Sequence, residues 1–315
     1  MHTQELIPTG RAVIVGAGNV GASAAYALLN QDFIREIAII DIAEDLVKAQ
    51  VMDLAHGAAL HSGVNIRVGD YDMLRDGDLV VITAGAAQKE GQTRMDLAQI
   101  NVKITKSILG EIKQRKKDVY VMLISNPVDV LTYVAIKELD YLQPGRVFGS
   151  GTTLDSGRLA YVLSQKLDIN PTEIEAYILG EHGDSSFPAL SRATVHGQPL
   201  SEFIELTDEF TSQVQEEVRD AAYQIINGKG ATNFGIGNSI SFFARAIFEN
   251  SKRVSPASVL LDGQYGLEDV VLGMPAFIDM KGVLPFKEML LSEAEREKLE
   301  HSAQVIKDNI AKLEI

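Results

Sequence analysis

The sequence predicts an α/β protein, with a doubly wound parallel sheet in its first half followed by an α+β second half. Three observations predict it. From residue 11 to about 150, short and nearly continuous apolar runs alternate with helical stretches, as expected of a parallel sheet covered on both faces. A glycine-rich turn links the first apolar run to the first helical stretch. After Gly149-Ser150-Gly151 the helical stretches lengthen and the extended pieces become short and glycine-punctuated. Two domains, 1–150 and 151–315, are therefore expected.

Taken in order, Arg11–Val15 reads as a strand ending at Gly16, and Val20–Asn30 as a helix. Glu36–Asp41 (EIAIID) is a buried strand, Ala43–Gly57 helical, Val64–Val68 extended and Asp78–Thr83 (DLVVIT) another apolar strand. A long helix over Met95–Gln114 leads into the strand Val119–Ile124. Arg115, Lys116 and Lys117 close that helix, where cations suit the negative end of its dipole. In the second half the helices are Leu154–Lys166, Thr207–Asn227 and Phe234–Asn250, with extended pieces at Arg192–Val195, Ser258–Leu261 and Val270–Leu272. Ser292 followed by Glu295 is a capping box, from which an amphipathic helix runs to the end.

Composition narrows the function classes. With 315 residues, 46% of them apolar, the chain can fill a sizeable core. A net charge of −14 disfavours nucleic acid and anionic membranes as partners. It also requires local arginines wherever an anionic ligand is to be held. There is no long apolar run and no basic-then-apolar leader, so neither a membrane span nor a secretory signal is expected. The absence of cysteine excludes disulfides and thiolate metal sites, and a cytoplasmic location is expected. No metal site is expected either. His56 and His61 lack a carboxylate in ligand spacing, His196 sits in a His-Gly turn, and His2 and His301 have no identifiable partner.

Gly16-Ala17-Gly18-Asn19-Val20-Gly21 matches G-x-G-x-x-G between a strand and a helix, the setting of a Rossmann-type dinucleotide turn. The first glycine permits the tight turn, the second lets backbone approach a pyrophosphate, and the third allows close helix–strand packing. Asp41, twenty residues past Gly21, closes the next strand, where it can accept hydrogen bonds from the adenosine ribose. It would repel a 2′-phosphate, and Ile42 rather than arginine follows it, so NAD is preferred to NADP. No P-loop pattern occurs, which leaves nucleotide hydrolysis without its main support.

Four polar residues suit a redox step on a 2-keto acid beside such a cofactor. His182, within Gly180-Glu181-His182-Gly183-Asp184, is the natural acid–base group. Asp155 can orient it, and Arg158, three residues on, shares a helical face with Asp155 and can grip a carboxylate through two parallel hydrogen bonds. Arg94 lies in the glycine-punctuated loop Gly85–Asp96, the kind of segment that closes over a substrate. The bland reading of these residues is a surface ion pair and solvated loop charges.

With these motifs the chain resembles the lactate/malate dehydrogenase family over nearly its whole length. The resemblance rests on the glycine loop with Asp41, on Thr83-Ala84-Gly85-Ala86-Ala87-Gln88, and on Gly-Gln-Thr-Arg94-Met-Asp-Leu. It continues through Ser125-Asn126-Pro127-Val128-Asp129, Gly149 to Arg158, Gly180 to Asp184 and Lys229-Gly230-Ala231-Thr232. It implies reversible hydride transfer between NADH and a small 2-keto acid, in glycolysis and fermentation, by a cytoplasmic homotetramer or dimer. His182 is implied to be the proton donor, Asp155 its partner, Arg158 the carboxylate clamp and Arg94 the mobile-loop arginine. Thr83, Ala84, Gly85, Asn126 and Ser150 are implied to line the cofactor, with Asn126 also touching substrate. Thr232 would line the substrate pocket and Ile236 would pack on the nicotinamide.

Gln88 bears on the substrate. The malate-specific members have arginine there, and an uncharged glutamine leaves a second carboxylate uncompensated in a desolvated site. Pyruvate and L-lactate are therefore favoured; the alternatives are, in order, a broader L-2-hydroxyacid dehydrogenase taking branched 2-keto acids, a malate dehydrogenase, and a catalytically silent NAD-binding relative. Ala160 and Glu175 stand where relatives activated by fructose 1,6-bisphosphate carry arginine and histidine, so little or no activation by that sugar phosphate is expected.

Overall fold

Apolar runs of three to five residues form the parallel centre of the protein, seen here in a computed structural model that describes residues 9–60, 63–86 and 91–313, with backbone alone at Arg94. The first half comprises β1 (Arg11–Val15), α1 (Asn19–Leu29), β2 (Glu36–Ile40), α2 (Glu44–Ala58), β3 (Asn65–Val68), β4 (Leu79–Ile82), α3 (Arg94–Arg115), β5 (Tyr120–Leu123), α4 (Val128–Glu138) and β6 (Val147–Gly149). Its six strands run parallel in the order β3-β2-β1-β4-β5-β6. The strand order reverses between β1 and β4, so the crevice at their carboxyl ends is a topological switch point, where open α/β sheets take their ligands. Every residue of β4 and β5 is fully buried, because helices cover both faces of the sheet.

Local chemistry sets the helix limits. Thr93 caps α3 by accepting from the Asp96 N–H at 3.1 Å, and the Asp96 carboxylate returns a bond to the Thr93 N–H at 3.1 Å. That helix ends where Lys116 turns left-handed, at φ 47°. The helix α4 has no counterpart in the sequence reading. Val128 to Thr132, Val134 and Ala135 are all buried, so burial runs most of the way round the helix and takes in the polar Asp129 and Thr132, and no single apolar stripe marks its period.

The second half comprises α5 (Thr153–Leu167), the two-residue strands β7 (Ile174–Glu175), β8 (Ile178–Leu179), β9 (Phe187–Pro188), β10 (Thr194–Val195) and β11 (Gln198–Pro199), then α6 (Asp208–Lys229), α7 (Phe234–Phe248), β12 (Arg253–Asp262), β13 (Glu268–Asp279), β14 (Gly282–Pro285) and α8 (Glu293–Lys312). A small second core packs α5 and α6 against the sheet β11-β10-β7, through Leu159, Leu163, Ile174, Val195, Val214 and Val218. Ser292 and Glu295 form the expected capping box of α8.

The extended pieces at Ser258–Leu261 and Val270–Leu272 prove to be parts of strands of 10 and 12 residues. Pro256 and Pro275 obscure their length in the sequence. In the sheet the two prolines face each other, in a register where neither owes the other an N–H. Nor do these strands form a sheet apart. Ser258 pairs with Gly149, so β12, β13 and β14 extend the parallel sheet to nine strands across residue 150. Among the described residues no helix is long and apolar enough to cross a membrane.

Candidate active site

The residues singled out for proton transfer and carboxylate binding converge on one cavity of about 310 Å³. From α5 come Asp155 and Arg158, from the segment after β8 comes His182, and from the carboxyl ends of β5 and β6 come Asn126 and Ser150. Val20 of α1, Thr232, and Ile236 of α7 also line it, and α6 closes the far wall with Gln215, Val218, Arg219, Ala222, Tyr223 and Ile226. Asn126, His182, Gly183, Asp184 and Tyr223 also border a second cavity of about 680 Å³, which reaches α3 and α8.

His182 Nδ1 lies 2.7 Å from Asp155 Oδ2, and Arg158 Nη1 donates to Asp155 Oδ1 at 2.6 Å. The bond to Asp155 fixes the imidazole with its Nδ1 proton on the carboxylate and its Nε2 available to a substrate. Among the described residues Arg158 makes no other hydrogen bond, so most of its five donors remain for a ligand carboxylate.

The His182 segment is held from three sides. Gly180 and Gly273 of β13 exchange backbone hydrogen bonds at 3.0 and 2.7 Å. Gly180 adopts φ 92°, and a Cβ there would approach Ser302 Oγ of α8 to 2.5 Å, so glycine is required on both counts. Ser302 Oγ accepts from the Glu181 N–H at 2.6 Å, and Asp129 Oδ2 of α4 accepts from the His182 N–H at 2.7 Å.

Burial works against the charged imidazole, but the charge and hydrogen bond of Asp155, with a further contribution from Asp129, push His182 up to about 9. Asp155 is likewise buried, yet His182 and Arg158 hold it below the usual carboxylate range. The cavity thus keeps a protonated imidazole beside a guanidinium, a setting for an anionic substrate whose oxygen must take a proton.

Residues 11–149 match the lactate/malate dehydrogenase NAD binding domain, and residues 152–314 match the lactate/malate dehydrogenase alpha/beta C-terminal domain. The chain belongs to the lactate/malate dehydrogenase family. Among its curated relatives is L-lactate dehydrogenase 1 of Staphylococcus aureus, 42% identical over 308 residues that cover 96% of this chain and 97% of the relative. A crystal structure of a lactate dehydrogenase enzyme from a Medee basin deep-sea metagenome library matches with a TM-score of 0.92 at 41% identity, over 97% of this chain and 99% of that one. The minor L-lactate dehydrogenase from Enterococcus mundtii, in a ligands-bound form, gives a TM-score of 0.93 at 37% identity, over 97% and 98% of the two chains.

The glycine loop is suited to the dinucleotide that the family's first domain binds. A Cβ on Gly18 would meet no atom within 4 Å, so protein packing does not demand glycine there, and the backbone is open to a pyrophosphate. Gly21 is different, since a Cβ on it would lie 1.8 Å from the Gly16 carbonyl oxygen. No side chain caps α1 at Gly18, which leaves N–H groups around Asn19 for phosphate oxygens. Asp41 spans the loop, its Oδ2 accepting from the Ala17 N–H at 2.6 Å and its Oδ1 from the Ala43 N–H at 2.8 Å. Thr83 Oγ1 donates towards the Val15 and Gly16 carbonyls at 3.2 and 3.1 Å, tying the ends of β4 and β1 together.

Ala84 and Gly85 lie just beyond, with Ser125 Oγ donating to the Ala84 carbonyl at 2.7 Å. Gln88 lies outside the described residues, as do His2 and His61, and Arg94 is placed only as the first residue of α3. His196 pairs at the surface with Glu173, at 2.8 Å.

Three residues that the sequence reading passed over support this family site. Asn101, buried in α3, donates to the Asn126 carbonyl and accepts from the Ala86 N–H, both at 2.8 Å, bridging the two loops at the crevice. Ser258 Oγ donates to Asp129 Oδ1 at 2.6 Å. Asn233 Nδ2 donates to Ser23 Oγ at 2.7 Å, fixing the start of α7 on α1. Each tie joins residues at least 15 apart in the chain, and nothing in the local sequence marks it.

Proposed function

We propose that the protein is an NAD-dependent L-lactate dehydrogenase, with residues 1–150 carrying the cofactor site and 151–315 the proton donor and carboxylate clamp. The observation that carries this reading is one carboxylate, Asp155, holding His182 and Arg158 together in a cavity that Asn126 and Thr232 also line. When bound, NADH supplies the hydride that adds to C2 of pyruvate. The protein's own groups do the rest. His182 Nε2 gives its proton to the ketone oxygen, turning the carbonyl into the hydroxyl of L-lactate, and takes it back in the reverse direction. Arg158 grips the substrate carboxylate in bidentate fashion, which fixes the keto carbon relative to His182. Arg94 supplies a second positive charge that polarises the carbonyl. Asp155 keeps the Nδ1 proton turned towards itself, so that Nε2 is the nitrogen that gives and takes the proton, and it stabilises the imidazolium charge. Thr232 restricts the substrate side chain, and Gln88 leaves a second carboxylate without a counter-charge.

Neither Ala160 nor Glu175 can hold a sugar phosphate. Alanine has no donor, and the Glu175 carboxylate, which accepts from the Tyr177 hydroxyl at 2.8 Å, repels phosphate. The same reading makes the protein a cytoplasmic homotetramer or dimer. Apolar side chains left exposed on the single chain support association, among them Met52, Leu60 and Phe234, at 59%, 85% and 71% exposure.

The test is NADH oxidation with pyruvate, oxaloacetate and 2-ketoisocaproate, each with and without fructose 1,6-bisphosphate. The expected outcome is the highest kcat/KM with pyruvate, unchanged by the sugar phosphate. Preference for either other acid would replace the substrate assignment, and NADH binding without turnover would overturn the catalytic one.

A further inference from the structure

Of the charged residues that wall the cavity around His182, Arg219 of α6 has no part in the scheme above. The cavity side of α6 is Gln215, Val218, Arg219, Ala222, Tyr223 and Ile226, the spacing of one helical face. Its only charge is that arginine. The helix is otherwise acidic, yet Asp208, Glu209, Glu216, Glu217 and Asp220 all fall outside the lining. Glu217 turns instead to Lys166 of α5, at 2.8 Å. Before Lys229 in its last turn, α6 thus carries one cation, on the face that its acids leave free.

Arg219 and Arg158 sit at different depths. The Arg158 side chain is 14% exposed and held by Asp155, whereas that of Arg219 is 46% exposed and marks the mouth. Among the described residues Arg219 pairs only with its neighbour Asp220, at 3.3 Å and through Nε alone, a weak surface contact. Along the cavity, Arg158, Arg219 and the protonated His182 bring three positive charges against two negative ones from Asp155 and Asp184. The lining is therefore net positive in a chain of net charge −14, and without Arg219 it is neutral. The adjoining second cavity brings Glu181 and Asp184 and, among the described side chains, no arginine or lysine.

We propose that Arg219 guides the substrate anion to Arg158, raising the rate at which a small carboxylate enters the cavity through the field of its charge, without contact in the bound complex. This role presupposes that the cavity is the keto-acid site. A cleft focuses the field of the charges that line it, and a charge on its rim acts on association and its salt dependence. For unit charges about 6–10 Å apart in water, the attraction is worth about two- to threefold in rate.

The experiment follows the association of oxamate, a carboxylate shaped like pyruvate, with the full-length protein saturated with NADH, by stopped-flow fluorescence of the cofactor. Turnover of pyruvate is recorded alongside. Arg219→Lys, Arg219→Gln and Arg219→Glu form a ladder of positive, neutral and negative charge at a half-exposed position. At about 10 mM ionic strength, Arg219→Gln should slow association by about two- to threefold and Arg219→Glu by about four- to tenfold. Arg219→Lys should keep the parent's rate, because a field needs the charge and not the fork. At about 1 M salt, where the screening length is about 3 Å, all four proteins should converge. An association rate indifferent to charge, or a loss that persists at high salt, overturns the proposal. So does an equal loss in Arg219→Lys, which would make Arg219 a direct ligand of the carboxylate. A salt-dependent ladder in a protein that binds oxamate but does not reduce pyruvate supports the guiding role and counts against the catalytic reading alone. Failure of the parent to bind oxamate overturns both.

Discussion

Asp155 binds His182 Nδ1 at 2.7 Å with one oxygen and Arg158 Nη1 at 2.6 Å with the other. One carboxylate thus sets the distance between the proton donor and the guanidinium that would seat the substrate. The i,i+3 spacing on α5 places Arg158 beside Asp155, while His182 comes from a separate segment locked by α4, α8 and β13.

Replacing Asp155 with asparagine removes the largest support for the imidazolium. His182 then loses its proton at a lower pH than about 9, so pyruvate reduction, which consumes that proton, should fail at a lower pH. Lactate oxidation, which needs the neutral ring, should keep its dependence in the opposite sense. At pH 8 the reduction rate should drop by about 10²-fold or more, the range associated with a general acid. Steady-state kinetics in both directions from pH 5 to 10 would check this. A profile superimposable on the parent's would show that Asp155 is not coupled to the proton donor.

Arg158→Lys keeps the charge but loses the fork. Lysine cannot reproduce two parallel hydrogen bonds to a carboxylate, and one charged hydrogen bond is worth about 1.5–3 kcal/mol, or about 10–150-fold. The loss should appear in kcat/KM for pyruvate and chiefly in KM, with NADH affinity unchanged. Direct titration of NADH binding separates the two. An equal loss of NADH affinity would point to collapse of the cavity instead.

The sequence makes the glycine loop, Asp41 and the four polar residues legible because each carries its chemistry in a short pattern, such as G-x-G-x-x-G or an acid and a base on one helical face. It hides what long-range packing decides. Strands β12 and β13 look short because Pro256 and Pro275 read as breakers, and only the register that sets them opposite each other removes the conflict. In α4 the buried positions Val128 to Thr132, Val134 and Ala135 run most of the way round the helix and include Asp129 and Thr132, so its sequence shows no clean apolar stripe. Asn101 and Asp129 act through partners 25 and 53 residues away, and their own neighbourhoods look ordinary.

Asp41→Asn should relax the choice of cofactor. The carboxylate repels a 2′-phosphate and offers two acceptors to a ribose, whereas the amide is neutral and offers one. Because Asp41 also accepts from the Ala17 and Ala43 N–H groups, asparagine retains only part of that support, and a small loss of thermal stability should accompany the change. The ratio of kcat/KM for NADPH over NADH should rise by about tenfold or more, the scale of one charged hydrogen bond. An unaltered ratio would remove Asp41 from cofactor discrimination.

Gln88→Arg tests the substrate assignment directly. An added guanidinium would give the second carboxylate of oxaloacetate a charge-assisted hydrogen bond of about 1.5–3 kcal/mol. Pyruvate has no second carboxylate for the same group to bind. The oxaloacetate-to-pyruvate ratio of kcat/KM should therefore rise by about 10–150-fold. A constant ratio would assign the choice of substrate to another residue.

The buried Asp129 should leave its mark on stability. Its carboxyl is pushed up to about 6 from the ordinary 3.8, so the folded protein holds this proton more tightly than the unfolded chain does. Between those two values the folded state carries the extra proton, and stability falls as pH rises. Above about 6 the whole penalty is present, about 3 kcal/mol at 1.36 kcal/mol for each unit. Asparagine has no proton to lose at this position. Whatever the stability difference between Asp129→Asn and the parent at pH 4, it should therefore move in favour of the variant by about 2.4 kcal/mol on going to pH 7, since part of the penalty is already present at pH 4. Urea unfolding of both proteins across that interval, at equal protein concentration, measures the trend directly. A difference that stays flat with pH would mean that Ser258 and the His182 N–H compensate the charge in full, and that Asp129 resides in the fold as an ordinary ionised carboxylate.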